Sequence, residues 1–197
     1  MNLSSLRRIS YLPLAMLLVA GTLSAAPPAS ESATVFTDAA LSALERQASE
    51  SLQKTRDLAV RLQRDAEVLD SIARAGQLGW ESHAVYLNQA KEHVNNMGEH
   101  LNWLRDMRHG VAHWQRQAID RLFPAALDLA NSTQAALIYL GENRDRARLR
   151  DRDYRGHVST IADRAGEVKT TAGDFLKLAE TQNELSRLEL KLEASAS

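Results

Sequence analysis

Trp80 to Met107, WESHAVYLNQAKEHVNNMGEHLNWLRDM, is the stretch whose reading decides the fold. Trp80, Leu87, Val94 and Leu101 fall seven apart. His83, Ala90, Met97, Leu104 and Val111 repeat at the same interval, three residues further on. Residues at i, i+3, i+4 and i+7 share one face of a helix, so the two columns form one apolar stripe. A third column, Tyr86, His93, His100 and Met107, runs beside it. Lys91, Glu92, Glu99, Arg105 and Asp106 mostly lie away from the seam. A stripe this wide needs other helices to cover it, and the remaining chain supplies three.

Upstream, Thr37 is placed to cap a helix, with Asp38 in its first turn where negative charge suits the helix dipole. Phe36 and Leu41 can close a hydrophobic staple over that start. Leu41, Leu44, Ala48, Leu52, Leu58, Leu62, Ala66, Leu69 and Ile72 keep the helical period, and Gly76 and Gly79 end it. Downstream, Arg108 falls on a core column and Gly110 follows, which predicts a turn at His109–Gly110; the alternative is one helix continuing to Leu122. The third helix carries Val111, Trp114, Ala118, Leu122, Leu129, Thr133, Ala136 and Leu140, with Pro124 inside the pattern to kink or break it. The fourth shows Val158, Ile161, Ala165, Val168, Ala172, Phe175, Leu176 and Ala179. Its small column Ala165, Ala172 and Ala179 is expected to receive the large side chains Tyr86, His93 and His100.

The expected fold is therefore all-α, an up-down-up-down four-helix bundle over residues 37–192, with helices at about 37–76, 81–107, 111–142 and 153–192. The first and last helices are the longest. If their far ends align, Leu41 and Leu44 face Leu185, Leu188 and Leu192 as a two-helix extension. That end is the candidate contact for another protein or for a homodimer, because a helix pair alone leaves apolar surface uncovered.

Residues 1–26 read as a cleavable secretory signal. Arg7 and Arg8 form the positive region, Tyr11 to Leu23 a short apolar run, and Ser24, Ala25 and Ala26 the small residues of a cleavage site. The run falls short of the roughly 20 residues a membrane span needs; an uncleaved N-terminal anchor is the competing reading. Residues 27–36 form a flexible lead-in, beginning PPASESA. The expected destination is the periplasm or the extracellular space, with no membrane attachment after cleavage.

Removing the signal leaves about 170 residues, enough for one domain with a real core. The chain has no cysteine, so packing alone must stabilise it, and thiol chemistry, Cys-ligated zinc, iron–sulfur clusters and c-type haem attachment are excluded. The full chain carries 24 Lys and Arg against 25 Asp and Glu; losing Arg7 and Arg8 leaves 22 against 25, a net charge of −3. A mildly acidic chain lacks the electrostatic footprint of a nucleic-acid binder. The stretch from Asn143 to His157, NRDRARLRDRDYRGH, interleaves six arginines with three aspartates. It reads as a solvated, self-neutralising turn rather than an anion site.

Among the histidines, His93, Met97 and His100 share one helix face. Imidazole and thioether ligate haem iron and copper, and bundle cores hold such cofactors. The bland reading is that these rings flank the core, hydrogen-bonded to neighbouring helices or water. His109 and His113 have the H-x3-H spacing that chelates a metal from one helical turn, but Gly110 occupies the place of the Glu in H-E-x-x-H. There is no Glu-x-x-His, G-x-S-x-G, G-x-x-x-x-G-K-[ST] or G-x-G-x-x-G. The sequence thus points to an exported, non-catalytic binding or scaffolding bundle without a cofactor, the rival being a non-covalent haem or copper carrier.

Overall fold

The computed structural model describes residues 38–196 apart from Gln77 and Arg146. The expected signal, the lead-in, the Thr37 cap and the Phe36 staple lie outside the described residues. Four helices follow one another: α1 Asp38–Ala75, α2 Trp80–Asp106, α3 His113–Glu142 and α4 Arg152–Ala196. Among the described residues there is no strand. No described helix is long and apolar enough to cross a membrane.

Each helix of this four-helix bundle buries the stripe its period sets. In α1 the buried series is Ala48, Leu52, Thr55, Ala59, Leu62, Ala66, Leu69 and Ala73. In α2 it is His83, Leu87, Ala90, Met97, Leu101 and Leu104. Spacings of three and four residues keep each series on one side of its helix. The sides meet in one core, where a fully buried leucine contributes about 1.5–3 kcal/mol relative to an exposed one. Val94 is only half-buried, because Gly98 one turn on has no side chain to close the α2–α3 seam.

α1 packs against α2 and α4, and α3 packs against the same two helices. The column Tyr86–His93–His100 consequently does not meet Ala165 and Ala172. It turns towards α1, where His93 Nε2 lies 3.2 Å from Asp65 Oδ2. The reason is order around the core: α2 sits between α1 and α3, so its flanking column meets a sequence neighbour rather than α4.

Two short connections set the helix ends. Gly76, with φ +60°, adopts the left-handed conformation that ends α1. Arg150, in the 3-10 turn Arg148–Arg150 that precedes α4, donates from Nη2 to the carbonyl of Ala75 at 3.1 Å, tying that turn to the end of α1. At the other end, a 3-10 turn over Arg108–Gly110 separates α2 from α3. Arg108 does not enter the core; its guanidinium donates to Asp120 of α3 at 2.9 and 2.6 Å. The turn runs so close to α1 that a Cβ on Gly110 would stand 2.7 Å from Leu44 Cδ2.

Pro124 does not break α3, which runs through it without interruption. Pro124 is exposed, so the Asp120 carbonyl left without a helical donor can be served by water.

Candidate functional site

Buried Thr55 and Thr133, within α1 and α3, each donate to their own helix backbone at Ser51 and Leu129, while the buried polar groups that bond between helices sit near the two ends of the bundle. Where α2 and α4 begin, His83 is 1% exposed and Tyr154 fully buried. His83 Nδ1 and the Tyr154 hydroxyl lie 2.9 Å apart. Burial pushes the His83 pKa below its ordinary value and the Tyr154 pKa above its own, so both rings are held neutral at pH 7. Whichever ring donates, the bond satisfies two groups that would otherwise be stranded in the core. Tyr139 of α3 stacks on Tyr154 with centroids 5.7 Å apart, and His157 tilts against Tyr139 at 5.9 Å.

The arginine-rich connection closes over this aromatic group. Arg144 lies over the Trp80 ring at 4.8 Å, and Leu149 is buried beneath the turn. Arg148 pairs with Asp151 at 3.3 Å, whereas Arg155 reaches Asp70 of α1 at 3.4 Å. Arg144, Arg150 and Arg155 therefore act individually as clamps on α2 and α1, and self-neutralisation, as in the Arg148–Asp151 pair, is only part of the role of the stretch. Tyr154 escaped the sequence reading because it sits inside that charged run. Its place seven residues before Ile161 was the available signal.

At the opposite end Gln115 is fully buried. Its Oε1 accepts from the Ala112 amide at 3.0 Å, and its Nε2 donates to the Glu45 carbonyl at 2.7 Å and to Ser49 Oγ at 3.1 Å. One side chain thus caps α3 and fixes it to α1. Its position three residues after the start of a helix was the readable clue.

The haem or copper candidates divide between the core and the α1 side of α2. Met97 is buried in the core, His93 is paired with Asp65, and the His100 pKa is lowered by burial first and by the nearby Lys54 second. His109 lies in the 3-10 turn and His113 opens α3, so the pair does not share a helical turn. Both are exposed, and His113 Nε2 lies 3.1 Å from Gln117 Nε2. Among the described residues no three histidine or carboxylate side chains converge as a metal-ligand group. A half-open apolar groove between α2 and α3, bordered by Val94, Gly98, Phe123 and Leu127, has a volume of about 170 Å³. Ligand pockets run to about 300–1,000 Å³, so it is small for one.

The contact candidates also divide. Leu44 packs on the core beneath Gly110, and Leu41 is at the margin of exposure, 36%. Leu185, Leu188 and Leu192 are 56%, 55% and 69% exposed and are not covered by α1. The cause is a change of phase in α4. Tyr154, Ile161, Val168 and Phe175 form one inward column, and Val158, Ala165, Ala172 and Ala179 the other. At the same intervals the next residues are Gln182 and Glu189, then Ser186 and Glu193. The leucines belong to a different column, Leu178, Leu185 and Leu192, with Leu188 three residues after the second.

That column lies on the α3 side of the helix, where Leu178 and Phe175 border a hollow with Arg121 of α3. α3 starts too late in space to cover it further, since its first residues Trp114 and Gln115 border one hollow with Ala179 and Asn183 of α4. No family model, no curated protein and no solved structure matches this chain.

Proposed function

We propose that this chain is an exported up-down-up-down bundle that acts by contact, as a binding or scaffolding module without a catalytic centre or cofactor. The observation that carries the reading is the uncovered leucine column at the end of α4. Single exposed apolar residues are ordinary, but a file of them at helical spacing is the mark of a helix awaiting a partner. The buried polar groups favour the same reading. His83, Tyr154 and Gln115 are spent on one another and on the backbone, and none reaches solvent where a substrate would meet it.

Export follows from the first 26 residues by the physical argument already given. N-terminal sequencing of chain recovered from outside the cytoplasm is expected to begin just after Ala25 or Ala26. For the contact role, the test is the hydrodynamic mass of the chain in that exported fraction. It should exceed that of a single chain, and fall to it when Leu185 and Leu188 are both changed to Glu. A mass of one chain for both proteins would end the proposal.

A further inference from the structure

We infer that the exposed end of α4 pairs with the same segment of a second copy, antiparallel, with Leu185 of each chain opposite Leu188 of the other. This rests on the contact role above and names the occupant. The last turns offer Leu178, Leu185 and Leu192 in one column and Leu188 in the adjoining one, the two-column layout of a coiled-coil seam. Two of these helices laid side by side would cover each other's leucines along the stretch that α3 leaves bare.

Charge selects the direction. The residue preceding each leucine of the first column flanks the seam on one side, giving Lys177, Glu184 and Lys191. The residue four places after each flanks it on the other, giving Gln182 and Glu189. Flanking charges of this kind set partner and orientation in paired helices. In a parallel pair, Glu184 of one chain would stand against Glu189 of the other, a repulsion repeated twice. In the antiparallel pair, Glu184 meets Lys191 of the second copy, and Gln182 meets Glu189; both contacts are again made twice. No like charges oppose one another. The segment is thus self-complementary in one orientation only, which is what a two-fold contact between identical chains requires.

The geometry also leaves room. With Leu185 opposite Leu188, residues 184–189 of each chain lie level with the same residues of the other, past the point where α3 flanks α4 at Ala179 and Asn183, so the two helical cores sit at opposite ends of this short stretch. The contact is short, so it belongs to the weak, concentration-dependent class of interface.

Sedimentation equilibrium on the purified full chain, from about 1 µM to about 1 mM, tests this over the range where such interfaces are half-formed. A monomer–dimer equilibrium is expected. Leu185→Glu with Leu188→Glu should abolish it while the helical circular dichroism stays unchanged, both residues being exposed in the bundle. Glu184→Lys and Lys191→Glu should each weaken association by about tenfold, and the double exchange should restore it. A chain that stays monomeric throughout overturns the inference, as does a dimer indifferent to the leucine changes. Strengthening by Glu184→Lys alone would show a parallel pair and overturn the orientation proposed here. A purified monomer whose exported form is nonetheless larger, through the same leucines, would replace the second copy with a different chain and leave the contact role standing.

Discussion

The two parts of α4 are similarly charged, and the second is the richer in leucine, yet only the first is buried. Up to Ala179, Leu178 apart, its large apolar residues return to one side of the helix, and Tyr154, Val158, Ile161, Ala165, Val168 and Ala172 show no exposure at all. From Glu180 onward every residue with a described side chain is exposed, leucines included. The helix does not stop and no glycine or proline intervenes. What changes is the phase, because the inward columns pass to Gln182, Ser186 and Glu189 while Leu185, Leu188 and Leu192 fall on a neighbouring face. Burial is decided by where an apolar residue points and whether a neighbour reaches it, not by how many there are.

The strongest way to break this comparison is to truncate a side chain in each part. Ile161→Ala should cost about 2–5 kcal/mol in chemical denaturation, as for other fully buried truncations. A loss below half a kcal/mol would mean that the first part is not core. A smaller effect is expected from Tyr154→Phe, which keeps the ring but strands His83 Nδ1. The cost should be about 1–3 kcal/mol, the penalty of a buried polar atom without a partner. A neutral result would show that water enters the site.

Next in size is a pH effect from histidines of α2, of which His83 bonds the first part of α4 at Tyr154. Burial lowers the folded pKa of His83 below that of the unfolded chain, so between the two values the unfolded state binds more protons. The His83 contribution is intact above about pH 6.5, its unfolded value, and declines as pH falls below that towards the folded value. His100 adds a change of the same sign. Unfolding curves between pH 8 and 5 for the chain and for His83→Gln should diverge at the acid end. Parallel curves would remove the buried neutral histidine from the account. The smallest effect is a null one: Leu188→Ala should change the stability of the isolated monomer by no more than about 0.5 kcal/mol. In the same dilute sample, amides of residues 181–195, whose side chains are all exposed, should exchange with solvent far faster than those of residues 154–179. Equal protection would mean that something already covers that end.

The fold was legible in the sequence because its signal is periodic. Leu87, Met97, Leu101 and Leu104 could be assigned inward from spacing alone, and Gly76 and Gly110 marked two of the turns. The order of helices around the core was not legible. Spacing gives a helix its inner side but says nothing of which neighbour flanks it, so His93 was set against the alanines of α4 instead of Asp65. The polar interior was hidden for a different reason. Gln115 and Tyr154 look like surface residues in charged surroundings, and only three-dimensional proximity reveals that each bonds a group about 70 positions away in the chain. At the far end of α4 the leucines were noticed but misplaced, because counting them did not ask whether their column continued the one before.

Gln115 has a consequence for how this chain tolerates change. Its amide accepts on one side and donates twice on the other, a division of labour that Glu, Met and His cannot each reproduce in full. Drift at this site should be as restricted as at a reacting group. Were diverged copies of the chain set side by side, an unvarying glutamine here would record joinery and tempt the reader to see chemistry.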